Sequence, residues 1–210
     1  MESRLELENS PIAISFSNEP PEGVKQLSGG LRLCQMLDKV RFEGETFYTR
    51  AENHACDGGC SSCGLKEMGE KIKTGEFLCK MGLFGTKRAA RRFINANPRI
   101  ASGTVKIVSF SPLEKTSFEP DVVVLVCNAK QGQRVSEAFA YESGKRTTGM
   151  TGPPICSSIV AAPYLTGEVV YSLGDHGARK YMKLRDEDLF VGIPAELLPT
   201  INENLGIMVL

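Results

Sequence analysis

Three cysteines stand close together in the first third of the chain, within the stretch Asn53-His54-Ala55-Cys56-Asp57-Gly58-Gly59-Cys60-Ser61-Ser62-Cys63-Gly64. Glycines interrupt and close this stretch, so the backbone can turn tightly and let the thiols converge on one point. Thiolates at such spacing are ligands for a soft metal ion or an iron-sulfur cluster. We therefore predict Cys56, Cys60 and Cys63 as metal ligands. The alternative is that they are loop cysteines, either paired with one another or idle.

The kind of centre follows from the thiols that remain. A [4Fe-4S] cluster held by the three clustered cysteines would take a fourth ligand from Cys34 or Cys156. Zinc is the alternative, because Cys60 and Cys63 form one Cys-x2-Cys pair that His54 and Cys56 can complete. Spacing alone does not separate the two metals. We predict the iron-sulfur cluster first and zinc second.

The C-x3-C-x2-C spacing is also the one by which radical SAM enzymes hold a four-iron cluster. Two features argue against that interpretation. Ser62 stands where an aromatic residue is expected before the last cysteine, and the chain lacks the repeated strand-helix units of a (β/α) barrel. Radical SAM chemistry therefore stays a further alternative.

Composition limits the class of protein. The 210 residues are 41% hydrophobic, which is enough for a substantial core, and 25 Lys and Arg balance 25 Asp and Glu. Balanced charge gives no reason to expect a nucleic-acid partner, and no apolar run reaches the length of a membrane span. The acidic start, residues 1–6, lacks the apolar segment of a signal peptide. We expect a cytoplasmic protein with no membrane or nucleic-acid partner.

Seven cysteines require an explanation in a reducing compartment, where clustered thiols are more often ligands or catalysts than disulfides. Four of them are scattered along the chain, and buried free cysteine is the default expectation for each. Those four are Cys34, Cys79, Cys127 and Cys156. The pattern assigns no role to Cys79 or Cys127.

Hydrophobic periodicity predicts alternating strands and helices. The continuous β-branched run at 121–127 is typical of a strand in the middle of a sheet. Thr86 is placed to cap a basic helix. The remaining ranges are predicted as strands at 12–17, 45–49 and 104–111, helices at 31–40, 65–73, 87–94 and 131–141, a glycine-punctuated connection at 75–85 and a polar loop at 144–154.

The second part of the chain repeats features of the first. Leu33-Cys34, Gly44-Glu45 and Asn53-His54 reappear as Ile155-Cys156, Gly167-Glu168 and Asp175-His176, at offsets of 122, 123 and 122 residues. An internal duplication explains near-constant offsets, and chance is the alternative. We predict an α+β fold of two similar halves, 1–110 and 111–210, related by a pseudo-twofold axis, with mixed sheets and flanking helices.

A duplication would place equivalent residues near the axis. Cys34 and Cys156 are then candidates for holding a cofactor in a cleft between the halves, close to the cysteine stretch. His54 and His176 are the candidate acid-base groups, and the alternative is that they are buried core histidines. The partner would be a small-molecule substrate or a redox partner. The pattern leaves open whether the protein is an enzyme, because it shows no phosphate-binding loop, dinucleotide fingerprint or hydrolase triad.

Several motifs together resemble one family. They are Leu33-Cys34-Gln35, Ala51-Glu52-Asn53-His54-Ala55-Cys56, Gly82-Leu83-Phe84, Ala89-Ala90-Arg91-Arg92, Phe118-Glu119-Pro120-Asp121-Val122-Val123-Val124, Pro163-Tyr164-Leu165-Thr166-Gly167, Ser172-Leu173-Gly174 and Val191-Gly192-Ile193-Pro194. Across almost its whole length the chain resembles the uncharacterised ArCR family of archaea and bacteria. The resemblance implies no activity, since none is assigned to the family.

The resemblance does separate the cysteines into two groups. Cys34, Cys56 and Cys156 lie in stretches similar to the cysteine-bearing segments of the family. Cys60 and Cys63 look like additions in this member. The segment 174–179 stands where relatives carry further cysteines, so the resemblance does not imply one metal centre for all members.

Overall fold

One mixed sheet of seven strands organises the fold. The protein is described by a computed structural model, which covers residues 1–208. The strand order is β2-β3-β1-β4-β7-β6-β5, and all neighbours are antiparallel except β5 and β6. The strands are β1 (Ile12–Ser17), β2 (Phe47–Thr49), β3 (Ile107–Pro112), β4 (Val122–Cys127), β5 (Thr148–Gly149), β6 (Val170–Ser172) and β7 (Leu189–Pro194). The predicted α+β class is confirmed, with one sheet in place of the several expected.

Helices flank this sheet on both faces. The α-helices are α1 (Glu2–Leu5), α2 (Leu33–Glu43), α3 (Asp57–Ser62), α4 (Glu70–Lys73), α5 (Glu76–Lys80), α6 (Lys87–Ala96), α7 (Ala129–Ser143), α8 (Ala162–Thr166), α9 (His176–Tyr181) and α10 (Leu198–Ile207). A π-type turn, Ser157–Ala161, runs directly into α8. No helix among these residues has both the length and the apolar character of a membrane span.

The central strand β4 is buried on both faces. Val122 and Val124 belong to the larger hydrophobic cluster, whereas Val123 and Leu125 belong to the cluster packed under α7 and α10. Successive side chains of a strand point to opposite faces, so a strand covered on both sides needs the continuous apolar run that this sequence has. The predicted central position of 121–127 is confirmed.

Counted outward from the central pair of strands, the two sides of the sheet have the same arrangement. β1 and β4 pair antiparallel around Ala13 and Val123. On one side β1 is followed by β3 and β2, and on the other side β4 is followed by β7 and β6. We call these three-strand sets the first and second half-sheet. The change from one to the other along the chain lies between the end of β3 and the start of β4.

Corresponding positions of the half-sheets carry different residues. Phe110 pairs with Ile14 and Phe47 in the first half-sheet, and Gly192 pairs with Val124 and Val170 in the second. A Cβ atom on Gly192 would overlap the carbonyl oxygen of Ile159. The glycine therefore lets the backbone of the π-type turn rest directly on the sheet.

A helical insertion, residues 65–100, separates β2 from β3. It has a small core of its own, made by Leu78, Ala90 and Ile94. Thr86 caps α6 as predicted, accepting a hydrogen bond from the Ala89 amide at 3.1 Å. Two predictions here were wrong in detail: the helix predicted at 65–73 covers only Glu70–Lys73, and the connection predicted at 75–85 contains α5.

Candidate functional site

The cysteine stretch forms a short helix instead of the predicted loop. Cys56 occupies the N-cap position of α3 with extended backbone, and Cys63 occupies its C-cap position. Gly64 then ends the helix with a φ of 74°, a value that favours glycine. Spacings of four and three residues place all three cysteines along one side of the helix. Local helix formation therefore replaces the tight wrapping that the glycines suggested.

Cys60 and Cys63 point into the protein interior. Both side chains are fully buried, and the Cys60 Sγ donates to the Ala51 carbonyl at 3.8 Å. Burial raises the pKa of Cys60 to about 11 and raises the pKa of Cys63 further. Within residues 1–208, no three His, Cys, Asp or Glu side chains stand in an arrangement that holds a metal ion. In the conformation described here, Cys60 and Cys63 are packed thiols.

A different set of side chains meets at the two glycines of α3. A Cβ on Gly59 would lie 3.5 Å from the Cys156 Sγ and 3.7 Å from the His54 Nδ1. A Cβ on Gly58 would lie 3.7 Å from the Cys56 Sγ. The absence of side chains at 58 and 59 thus lets α3 approach residues that are distant in sequence. Cys156 arrives there from the segment between β5 and β6.

Cys34, at the start of α2, belongs to the same group, as the electrostatics show. Burial, followed by the neighbouring Cys56 thiol, raises the pKa of Cys34 to about 11. Burial likewise raises the pKa of Cys156, and the thiols of Cys56, Cys63 and Cys34 add to it. We call Cys34, Cys56, Cys156 and His54 the thiol cluster, and the fully buried Cys63 also lies near Cys156. Its buried thiols are neutral at pH 7, and a nearby cation would favour their thiolate forms.

His54 presents an unprotonated ring nitrogen to this cluster. Burial, with a smaller effect of the Lys66 charge, lowers the pKa of His54 to about 4, so the ring is neutral at pH 7. The Thr49 hydroxyl donates its one proton to the Val108 carbonyl at 3.1 Å. It therefore accepts from the His54 Nε2, 3.1 Å away, and this bond assigns the proton to Nε2. The buried Nδ1 has no hydrogen-bond partner among residues 1–208, so its lone pair is free.

His176 lies elsewhere. It is the first residue of α9 and its side chain is exposed to solvent. Of the two histidines that the sequence placed in one cleft, the structure brings only His54 to the thiol cluster. Cys79 lies in the helical insertion, and Cys127 lies in β4 beside Gly132, so neither joins the cluster.

Two polar residues that were not predicted as site residues form hydrogen bonds to the segments that precede Cys34 and Cys156. The Asn53 amide donates to the carbonyls of Leu27 and Gly29, in the loop that leads into α2 and Cys34. Asp175 accepts from the amide of Ile155, the residue before Cys156, at 2.6 Å. Both residues immediately precede a histidine in the repeated pattern, and that shared place in the sequence was the signal that could have identified them.

The sequence matches one described family. Residues 1–204 match the model of the family described as Uncharacterised ArCR, so the chain belongs to it, and the predicted resemblance is confirmed. The chain is also 31% identical over 188 residues to the uncharacterised protein MJ0308 of Methanocaldococcus jannaschii, an alignment that covers 88% of this chain and 80% of that protein. No solved structure matches the chain significantly.

Proposed function

We propose that this protein holds a cysteine-ligated metal centre, an iron-sulfur cluster, with Cys34, Cys56 and Cys156 as ligands. One observation carries the proposal. The Cys156 thiol, from the second part of the chain, and the unpartnered Nδ1 of His54, from the first part, both lie next to Gly59. Burying a polar atom without a partner is costly. A metal ion that accepts the nitrogen lone pair would remove this cost.

The donor set fits such a centre. Three thiols from three separate elements leave one coordination position for the His54 Nδ1 or for a small molecule. The thiols do not converge in the conformation described here, so binding includes a closing movement of their side chains. Since burial raises the pKa of the Cys34 and Cys156 thiols and keeps them neutral before binding, incorporation of the centre releases their protons. Once bound, an iron-sulfur cluster would supply one-electron redox chemistry.

The proposal changes the ligand set that spacing predicts. Cys60 and Cys63 are the two fully buried thiols of the cysteine stretch, so we assign them to the support of α3, although the Cys63 thiol also lies near that of Cys156. The larger distance in sequence between Cys34, Cys56 and Cys156 is no obstacle, because Gly58 and Gly59 allow α3 to come close to both other segments.

Zinc is the second candidate, and the state of His54 favours it. Three cysteine sulfurs and one neutral histidine nitrogen form a common structural zinc site. The radical SAM alternative receives less support, because a (β/α) barrel needs parallel strands and six of the seven strands here join antiparallel neighbours. Function in the zinc case would be structural or metal transport, without a redox step.

Anaerobic purification followed by metal and sulfide analysis and an absorption spectrum tests the proposal. We expect iron and sulfide with broad visible absorption, and loss of most of the iron in Cys34→Ser, Cys56→Ser and Cys156→Ser. Cys79→Ser is the matched control and should retain the wild-type iron content, since it removes one thiol outside the cluster.

Three other outcomes are informative. Equimolar zinc in a colourless protein would select the second candidate. Retention of metal in Cys156→Ser combined with its loss in Cys60→Ser and Cys63→Ser would restore the ligand set predicted from spacing. A protein that binds neither metal after anaerobic reconstitution would contradict both candidates.

We further propose that the two half-sheets descend from an internal duplication. Several features support it: the strand order that reads the same from the middle outward, the closing glycines Gly44 and Gly167 before β2 and β6, and the prolines that end β3 and β7. If the proposal is right, an alignment of family members should match residues 1–110 with 111–208 above chance. A profile comparison without such a match would contradict it.

A further inference from the structure

A cavity lies where α3 meets the helical insertion. Its volume is about 400 Å³, within the range of small-molecule sites. The lining is mainly polar: three cations, Lys66, Lys73 and Arg99, outnumber the single carboxylate, Glu67, and Ser61, Asn95 and Ser102 add neutral polar groups. Ser61 belongs to α3, so the cavity is separated from the thiol cluster by a single short helix.

The helical insertion has an unbalanced charge. Residues 65–100 contain nine Lys or Arg against three Glu, although the whole chain has 25 residues of each sign. The insertion is thus strongly positive and the rest of the chain is negative by the same amount. A concave surface in a region of one charge sign concentrates the electrostatic potential and attracts ions of opposite charge.

Arg99 is the cation in the cavity that has no acidic partner. The lysines are paired, Lys66 with Asp57 at 2.8 Å and Lys73 with Glu67 at 3.2 Å. The half-buried Arg99 guanidinium instead contacts the Met68 Sδ at 3.6 Å and donates to the Ile94 carbonyl at 3.3 Å. Among residues 1–208 no carboxylate forms a salt bridge with it. A guanidinium whose positive charge is not balanced by a carboxylate is suited to bind an oxyanion, which it can hold through two parallel hydrogen bonds.

We propose that this cavity binds a small molecule through a phosphate or carboxylate group, with Arg99 as the main anion contact. Lys73 is the second contact and would exchange its pairing with Glu67 for the bound anion. Asn95 and Ser102 offer additional hydrogen-bond donors, which would orient the bound group. Lys66 connects the cavity with α3 through Asp57, which itself accepts from the Gly69 amide at 2.8 Å. The binding site does not require the metal centre, so it stands even if the proposed centre fails.

Isothermal titration calorimetry of the full chain with inorganic phosphate and, separately, with succinate tests this proposal. We expect at least one of the two to bind at about 10 mM or below. The anion that binds identifies the group, phosphate or carboxylate. Arg99→Ala and Lys73→Ala should each weaken binding at least about tenfold. Arg99→Lys retains the charge but loses the fork of donors, so it should weaken binding by less than Arg99→Ala.

Arg92→Ala is the matched control, since it removes the same charge from an exposed position of α6 outside the cavity. Binding should change less than about twofold in this variant. An equal loss in Arg92→Ala and Lys73→Ala would overturn the proposal, because it would show general attraction to a basic surface. Absence of binding by both anions to the wild-type protein would also overturn it. If Arg99→Ala does not fold, Lys73→Ala and Arg99→Lys decide the question.

Discussion

The two half-sheets share a strand order but treat their histidines differently. In the first, the hydroxyl of Thr49 binds the ring of His54 and holds it in the interior. In the second, the corresponding Ser172 hydroxyl accepts from the Gly174 amide at 3.2 Å, and His176 is exposed. The same scaffold position therefore gives a buried, neutral imidazole in one half-sheet and a solvated one in the other. A repeated sequence motif does not by itself reproduce a chemical environment.

The half-sheets also differ in how closely a helix approaches them. Phe110 fills the space above β3 and stacks on Phe47, with the ring centroids 5.4 Å apart. Gly192 leaves this space open above β7, so the backbone near Ile159 descends onto the strand. Because this segment continues from Cys156, the glycine helps to set the depth at which that thiol enters the cluster. The second half-sheet thus sets the position of Cys156, whereas Cys34, Cys56 and His54 come from the chain around the first half-sheet.

The largest effect is expected for Gly192→Ala. The added Cβ would overlap the Ile159 carbonyl and lie 2.6 Å from the Pro163 Cγ, and a backbone atom cannot move aside as a flexible side chain can. We expect a loss of about 3 kcal/mol in the free energy of unfolding, measured by urea denaturation. Gly149→Ala, on the edge strand with open space around it, should change stability by less than about 0.5 kcal/mol. Equal stability of both variants would refute the close-approach interpretation.

A smaller effect is expected for His54→Ala. The substitution opens a cavity and removes the bond to Thr49, so the free energy of unfolding should fall by about 2 kcal/mol. His176→Ala is its counterpart in the second half-sheet and should change stability by less than about 0.5 kcal/mol. Chemical denaturation of the two variants measures the difference. Similar losses in both would mean that the second histidine is also structural.

The smallest effect is expected for Asp175→Asn. The side-chain oxygen of the new amide can still accept from the backbone N–H of Ala178 at the start of α9. Its NH2 group, however, would face the backbone N–H of Ile155, which now donates to a carboxylate oxygen of Asp175. We expect a loss of about 1 kcal/mol, typical of a weakened N-cap. Thermal or urea unfolding measures the loss, and Asp186→Asn, an exposed carboxylate nearby, provides the same change of charge as a control. A loss of equal size in the control would assign the effect to charge alone.

Much of the secondary structure could be predicted from local patterns. Val122 to Cys127 is apolar at every position, and Ile12 to Ser17 alternates, so both strands follow from periodicity. α3 was missed, since Gly58 and Gly59 lower helix propensity while packing against distant segments stabilises the helix. The sheet order could not be predicted, because pairing between residues as distant as Ile12 and Pro112 leaves no local signal.

The candidate site was predictable only in part. Comparison of the two parts of the chain singled out Cys34 and Cys156, which the structure places in one cluster with Cys56. Spacing favoured Cys60 and Cys63, but spacing carries no information on which way a thiol points once the segment becomes helical. Arg99 gave no signal at all, because its importance comes from the missing acidic partner and from a cavity formed by separate elements.

The position of β1 in the sheet has a consequence for biosynthesis. One hundred residues separate Ile12 from its partner Pro112 in β3, and β4 follows later still. The helical insertion, whose contacts are local, can form on the ribosome before either partner strand has emerged. Throughout that interval both hydrogen-bonding edges of the β1 segment lack their partner strands, so this apolar segment is open to pairing with another chain.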